Sequence, residues 1–167
     1  MNSLKIGSSI FHWGSQTYVM GIINVTPDSF SGDGLMVLVN APMPCVDPAL
    51  RAVRMAIEMQ QSVQGLIIHW QSRGYTIGFG IGLAMGPATV GQIGYEGRVD
   101  YTAIGNVVNL ASRLCSAARD HQILIDPIAA AAIHEHQPLL ALGSRPFKGL
   151  DEHLPVYAVE VLVSAGA

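Results

Sequence analysis

The stretch Asp100–Leu114, "DYTAIGNVVNLASRL", decides how the rest of the chain is read. It opens a helix expected over 103–119. With Val107 set at zero and about 100° of turn per residue, Leu110, Ala111, Leu114, Ala117 and Ala118 cluster around one direction. Asn109 and Arg113 fall about 200° and 240° away, side by side as residues four apart on a helix should be. One face is therefore apolar and packs on a sheet. The other projects an amide and a guanidinium together. Two readings stay open on spacing alone: an ordinary solvated face, or a site for an anion or polyphosphate, to which Arg offers a planar fork of donors.

Working outward, the elements on either side read as mixed α and β. "TYVMGIINV" (17–25) is a β-rich apolar run, and "TPDSFSGDG" after it is turn chemistry. "LMVLVN" is a second short strand. Pro48, just after Asp47, marks the start of a long helix over 49–72, with apolar residues at Leu50, Val53, Ile57, Val63, Leu66, Ile67 and Trp70 and a stop at Gly74. "YTIGFGIGLAMGPATVGQIG" alternates glycine with branched residues, which suggests a strand, a tight turn and a second strand. "QILID" is a short buried strand and "PIAAAAIHEH" a short helix. "RPFKGLDEHLPVYAVEVL" reads as a closing hairpin turning at Lys148–Pro155. The expected order β-α-β-β-α-β implies an α+β sandwich, a mainly antiparallel sheet with helices on one face.

Composition limits the function classes. The chain has 167 residues, enough for one domain with a real core, and half of them are hydrophobic while 13% are charged. Nine basic against 12 acidic residues give no electrostatic footprint for nucleic acid. Cys45 and Cys115 fit no metal or disulfide spacing and read as free thiols. No apolar run reaches about 18 residues and no signal peptide is legible, so a cytoplasmic protein is expected. His134 and His136 read as surface residues, and His69 as partly buried.

From Gly32 to about Val161 the sequence resembles the class III adenylate/guanylate cyclase catalytic domain. The resemblance is carried by "GDGLMVLVNAP", "ALRAVRMAIEMQ", "GIGLAMGPATVGQIG", "RVDYTAIGNVVNLASRL" and "FKGLDEHLPVYAV". It implies a ferredoxin-like α+β fold, here N-terminally truncated. It also implies that the 3′-hydroxyl of a nucleoside triphosphate attacks the α-phosphate and pyrophosphate leaves. In that family two metal ions, Mg²⁺ or Mn²⁺, are held by two aspartates. An Asn and an Arg stabilise ribose and phosphoryl group. Asn109 and Arg113 match the latter pair, Asp33 matches the second metal aspartate, Thr102 a base-reading residue and Lys148 a basic residue near the triphosphate. The resemblance further implies a head-to-tail dimer, aspartates from one protomer and Asn and Arg from the other. ATP is expected over GTP.

Upstream of Gly32 the cyclase resemblance stops. The family's first strand carries the other metal aspartate about forty residues before the second, followed by two helices and a strand. Here Asp28 is the only other acidic residue before Asp33. Ser29 stands where the family has a base-reading Lys. Residues 8–35 instead resemble the first strand and loop of dihydropteroate synthase, in which the Asn of "NVTPDSFS" binds pyrophosphate with Mg²⁺; Asn24 matches it. The expected organisation is a synthase-like segment 1–31, an incomplete cyclase domain 32–161 and a tail 162–167. The expected function is a cyclase making cyclic AMP and pyrophosphate from ATP, as a homodimer or with a complete partner, with autonomous activity impaired by the missing aspartate. The alternatives are a non-catalytic cyclase-like dimerisation or regulatory module and, at lower weight, a synthase fragment. Loss of the first strand would leave a sheet edge exposed, which "TYVMGIINV" is a candidate to fill.

Overall fold

A computed structural model describes residues 34–91, 101–147 and 153–161 in full, and 3–6, 9–12, 17–24, 92–95 and 98–100 by their backbone. Its main sheet has six strands in the order β4-β3-β5-β8-β10-β9. These are β3 (Thr17–Asn24), β4 (Gly34–Val39), β5 (Gly80–Pro87), β8 (Ile123–Ile125), β9 (Leu139–Arg145) and β10 (Leu154–Val159). All neighbours are antiparallel except β5 and β8. Two ribbons lie outside this sheet: β1 (Ser3–Ile6) with β2 (Ser9–His12), and β6 (Thr89–Tyr95) with β7 (Arg98–Ile104). The α+β, mainly antiparallel class is as expected.

The layering follows from the pattern of β5. Its residues alternate small and large, and successive side chains in a strand point to opposite faces. Ile81 and Leu83 pack into one core with α1 (Pro48–Gln71) and α3 (Pro127–Ile133). Gly80, Gly82, Ala84 and Gly86 form the other stripe, which lies under α2 (Asn106–Ala117). A methyl group on Gly86 would meet Val107 at the start of α2, one on Gly82 would meet Ala111 and Cys115 in the middle, and one on Gly80 would meet Ala118 just past the end. So α2 runs along β5 in the opposite direction, seated on the glycines. The helices therefore cover both faces of the sheet, not one as expected from element order alone.

β3 fills the gap left upstream. All eight of its residues are registered with β5, from Thr17 against Pro87 to Asn24 against Gly80. Six are also registered with β4, from Val19 against Val39 to Asn24 against Gly34. The segment that resembles the synthase is thus an interior strand, and β4 becomes the outer strand of the sheet. A cavity of about 680 Å³ opens beside β4, between Val37, Asn40 and Met43 on one side and Arg51, Met55 and Glu58 on α1.

The long helix is close to its expected bounds, with Pro48 in its first turn. Its buried stripe is Ala49, Ala52, Val53, Ala56, Gln60 and Ile67. Leu66, Ile68 and Trp70 are exposed, so the apolar periodicity overstated the buried face near its C-terminus. His69 is exposed too, while His134 and His136 lie at the surface as expected. The helix expected over 103–119 spans 106–117, because 98–104 is strand β7. That segment, "RVDYTAI", is rich in β-formers and pairs with β6 along its whole length. The closing hairpin is built by β9 and β10, so Leu154 and Pro155 are strand and not turn; residues 148–152 of that turn lie outside the described residues.

Candidate active site

The hinge between β7 and α2 places the candidate residues. Gly105 joins the two elements at φ 157°, ψ 169°, a conformation open to glycine and strained for other residues. The Cβ of any other residue there would also approach the Pro87 carbonyl oxygen at 3.3 Å and Ala88 Cα at 3.4 Å. α2 therefore starts at a fixed point beside the end of β5.

From that start, α2 buries Val107, Ala111, Leu114 and Cys115 against the glycine stripe and the surrounding core. Asn109 is exposed and Arg113 half-buried, on the side away from that stripe. The sequence-derived wheel is borne out in its two faces. Among the described residues neither side chain is engaged in a side-chain hydrogen bond or ion pair within the chain. The pair is a donor set pointing off the domain, with three or more N–H donors available to a phosphate or ribose oxygen. Cys115 is buried, with its Sγ 3.6 Å from the Gly80 carbonyl oxygen.

Thr102 is half-buried in β7, registered against Gly91 of β6, three residues before the hinge. It shares a continuous β7–α2 segment with Asn109 and Arg113. Asn24 ends β3 at the edge shared with Gly34 and Gly80. Asp33 and Lys148 lie outside the described residues.

Two anchors were not legible as such in the sequence. Gly82 sits so close to α2 that its position sets the height of the helix above the sheet. The signal was there, since a glycine inside a buried strand commonly marks a close backbone approach. Asp126 is the second. It is 1% exposed and caps α3, with its Oδ1 accepting from the Ala129 and Met85 N–H groups at 3.1 Å each and Oδ2 from the Ile128 N–H at 3.4 Å. It thus ties α3 to β5. Burial pushes its carboxyl above the ordinary range, against the opposing effect of these backbone donors. The signal for it was an Asp immediately before a helix with Pro at its first position.

The candidate metal residue Asp33 lies outside the described residues. No group of three or more His, Cys, Asp or Glu side chains gathers among them. The strand between β4 and β5 contains no Asp or Glu at all.

With this geometry in hand, comparison with known proteins gives the family. Residues 29–158 match the adenylate and guanylate cyclase catalytic domain, and the chain belongs to that family. Adenylate cyclase 1 of Rhizobium meliloti is 30% identical over 141 residues, 81% of this chain and 21% of that protein. The chain thus spans about a fifth of that relative's length. The crystal structure of the adenylyl cyclase CyaB from P. aeruginosa superposes with a TM-score of 0.78 at 26% identity, covering 87% of this chain and 94% of that one. A dihydropteroate synthase of Synechocystis is 61% identical, but over only 31 residues, 19% of this chain and 11% of the synthase. In the structure, the strand Thr17–Asn24 pairs antiparallel with both β4 and β5, whereas the synthase barrel resembled in sequence is built from parallel strands. Among the described residues no helix is long and apolar enough to cross a membrane.

Proposed function

We propose that this chain is a nucleotidyl cyclase domain that works on ATP in a dimer, contributing Asn109 and Arg113 of α2 and lacking a metal site of its own. The observation that carries this reading is the outward Asn109–Arg113 pair on a helix fixed at both ends, at Gly105 and over the Gly80–Gly86 stripe, in a chain of the cyclase family. Arg113 supplies charge to the phosphoryl group as charge builds on it, and Asn109 orients the ribose. Thr102 reads the base. The product is cyclic AMP, with pyrophosphate leaving.

A site of this kind needs carboxylates that β3 does not supply. The partner in the dimer is accordingly a complete cyclase chain, and this chain alone turns over ATP slowly or not at all. The absence of a carboxylate from β3 favours a second reading, a cyclase-like module that pairs with a catalytic partner and regulates it without donating to its chemistry.

One assay separates the two readings. A complete cyclase domain is disabled by replacing its own Asn and Arg at the positions that match Asn109 and Arg113, then mixed with this chain, Mn²⁺ and ATP. Cyclic AMP formed only on mixing supports the donor role. A stable mixed dimer that forms none supports the regulatory module instead.

A further inference from the structure

The outer edge of the main sheet carries an inference about self-association that does not rest on the cyclase reading. Among the described residues β4 is hydrogen-bonded on one side only, to β3, in an unbroken register from Gly34 against Asn24 to Val39 against Val19. In an antiparallel pair every second residue turns its N–H and C=O away from the partner strand. The outer side of β4 is thus a row of donors and acceptors open to a further strand. Edge strands of folded proteins usually carry a charge, a proline or a bulge that blocks such pairing. The sequence of β4, "GLMVLV", has neither charge nor proline, and no bulge interrupts its register.

The surface beside this edge selects the strand it takes. The cavity of about 680 Å³ next to β4 is walled on the α1 side by Arg51, Arg54, Met55 and Glu58. These residues are three and four apart, so they form one stripe along the helix. Met55 is half-buried, while Arg51, Arg54 and Glu58 are exposed. Among the described residues none of these three charged side chains has an ion-pair partner within the chain. The stripe is positive towards the start of α1 and negative towards its end. Such a stripe matches its own antiparallel copy, in which the Arg end of each meets the Glu end of the other. A parallel copy would set like charges together.

We infer that the outer edge of β4 pairs antiparallel with β4 of a second copy of this chain, about a two-fold axis normal to the sheet. This operation continues the sheet across the interface and leaves α1 of both copies on the same face, antiparallel across the cavity. Arg51 and Arg54 of each copy then oppose Glu58 of the other, as an isologous interface requires. Val37, Val39 and Met55, which line the cavity, lose water on pairing. Each copy uses its one β4 edge, so the contact closes at a dimer and does not build a filament. None of these groups belongs to α2, which presents Asn109 and Arg113.

The test is analytical ultracentrifugation of the full chain, with no nucleotide and no other cyclase chain present. A short strand edge and one helix stripe make a small interface, so a monomer–dimer equilibrium with Kd on the order of 10 µM is expected. Glu58→Arg makes the stripe wholly positive, and Arg51→Glu with Arg54→Glu makes it wholly negative. Each variant alone should dimerise at least about tenfold more weakly than the wild type. An equimolar mixture of the two should recover the dimer. The β4 amides of the wild type should exchange hydrogen more slowly in the dimer than in the dilute monomer. A chain still monomeric at about 200 µM overturns the inference. So does a dimer that neither variant weakens, which would use another face, or a mixture that stays monomeric while both variants keep the wild-type circular dichroism. Equal protection of the β4 amides in monomer and dimer also overturns it, because the edge would then be covered within one chain. Should a variant not fold, the wild-type exchange comparison decides.

Discussion

Replacing Gly82 by Ala tests how α2 is held. The added Cβ would stand 2.1 Å from the Cys115 amide nitrogen, 2.4 Å from the Ala111 carbonyl oxygen and 2.7 Å from Cys115 Cα. All three atoms are helix backbone, so no rotamer change relieves the clash. Ordinary contact needs about 3.4 Å or more, so the helix must retreat by roughly 1 Å or the strand must bend by as much. Overpacking of this kind costs about 1–3 kcal/mol, and a collision with backbone belongs at the upper end. For a chain of this size about 3 kcal/mol corresponds to a fall in Tm of roughly 6–12 °C. Moving Asn109 and Arg113 by about 1 Å should also reduce cyclic AMP formation in the mixed dimer by about a hundredfold. Gly86→Ala is the control: its Cβ would rest 3.4 Å from Val107 Cβ, an ordinary contact, and should cost less than about 1 kcal/mol. Urea denaturation of both variants is the assay. A Gly82→Ala chain within about 0.5 kcal/mol of the wild type would refute the seating of α2 on the glycine stripe.

Three further outcomes are expected. Gly105→Ala forces a non-glycine residue to φ 157° and should cost about 1–3 kcal/mol, read by thermal unfolding, while slowing the mixed dimer because the start of α2 shifts. Asp126→Ala leaves the Met85, Ala129 and Ile128 N–H groups without their side-chain acceptor and should cost about 1–3 kcal/mol in urea denaturation. Asp126 also gives a pH signature. Its carboxyl is raised by burial from its ordinary value of 3.8, so the native state holds the proton more tightly than the unfolded chain does. The stability it contributes through protonation is complete below about 3.8 and is lost as pH rises through the raised folded value. Asp126→Asn, which keeps an acceptor oxygen but does not titrate, should therefore gain on the wild type as pH rises from 3 towards 7, measured by urea denaturation at each pH.

The parts of this fold that were legible in the sequence are those decided locally. Pro48 and the alanine-rich spacing after it mark α1, and the three-and-four spacing of Val107, Ala111 and Leu114 marks the seated face of α2. What was not legible depends on partners distant in sequence. Nothing within "RVDYTAI" says that a facing strand, β6, will hold it extended up to Ile104, and a wheel drawn from Val107 extends backwards without resistance. The alternation in "GIGLAMG" announces a strand with one small face, but not that a helix will lie on that face and so put helices on both sides of the sheet.

The site divides the same way. Asn109 and Arg113 are four apart on one helix, so their shared face needs only the helix period, and the structure agrees. Thr102 is tied to them by a short continuous segment. Asn24 is different. Its sequence context resembles a synthase loop, while its place in the sheet is fixed by registers with Gly34 and Gly80, which are respectively ten and 56 residues further along the numbering. An apolar run such as "TYVMGIINV" declares itself a buried strand without declaring which strands will flank it.

The central claim is that this chain supplies the Asn109–Arg113 pair to a site completed by a second chain. The most direct measurement compares wild type, Arg113→Ala and Asn109→Ala in the mixed dimer with the disabled complete partner, under Mn²⁺ and ATP. Both helix-surface variants should leave the fold and the dimer intact, checked by thermal unfolding and size-exclusion chromatography. The account predicts a fall in cyclic AMP of about 10²–10³-fold for Arg113→Ala, as for loss of one transition-state donor, and a comparable loss for Asn109→Ala. Cyclic AMP output unchanged by Arg113→Ala would contradict it.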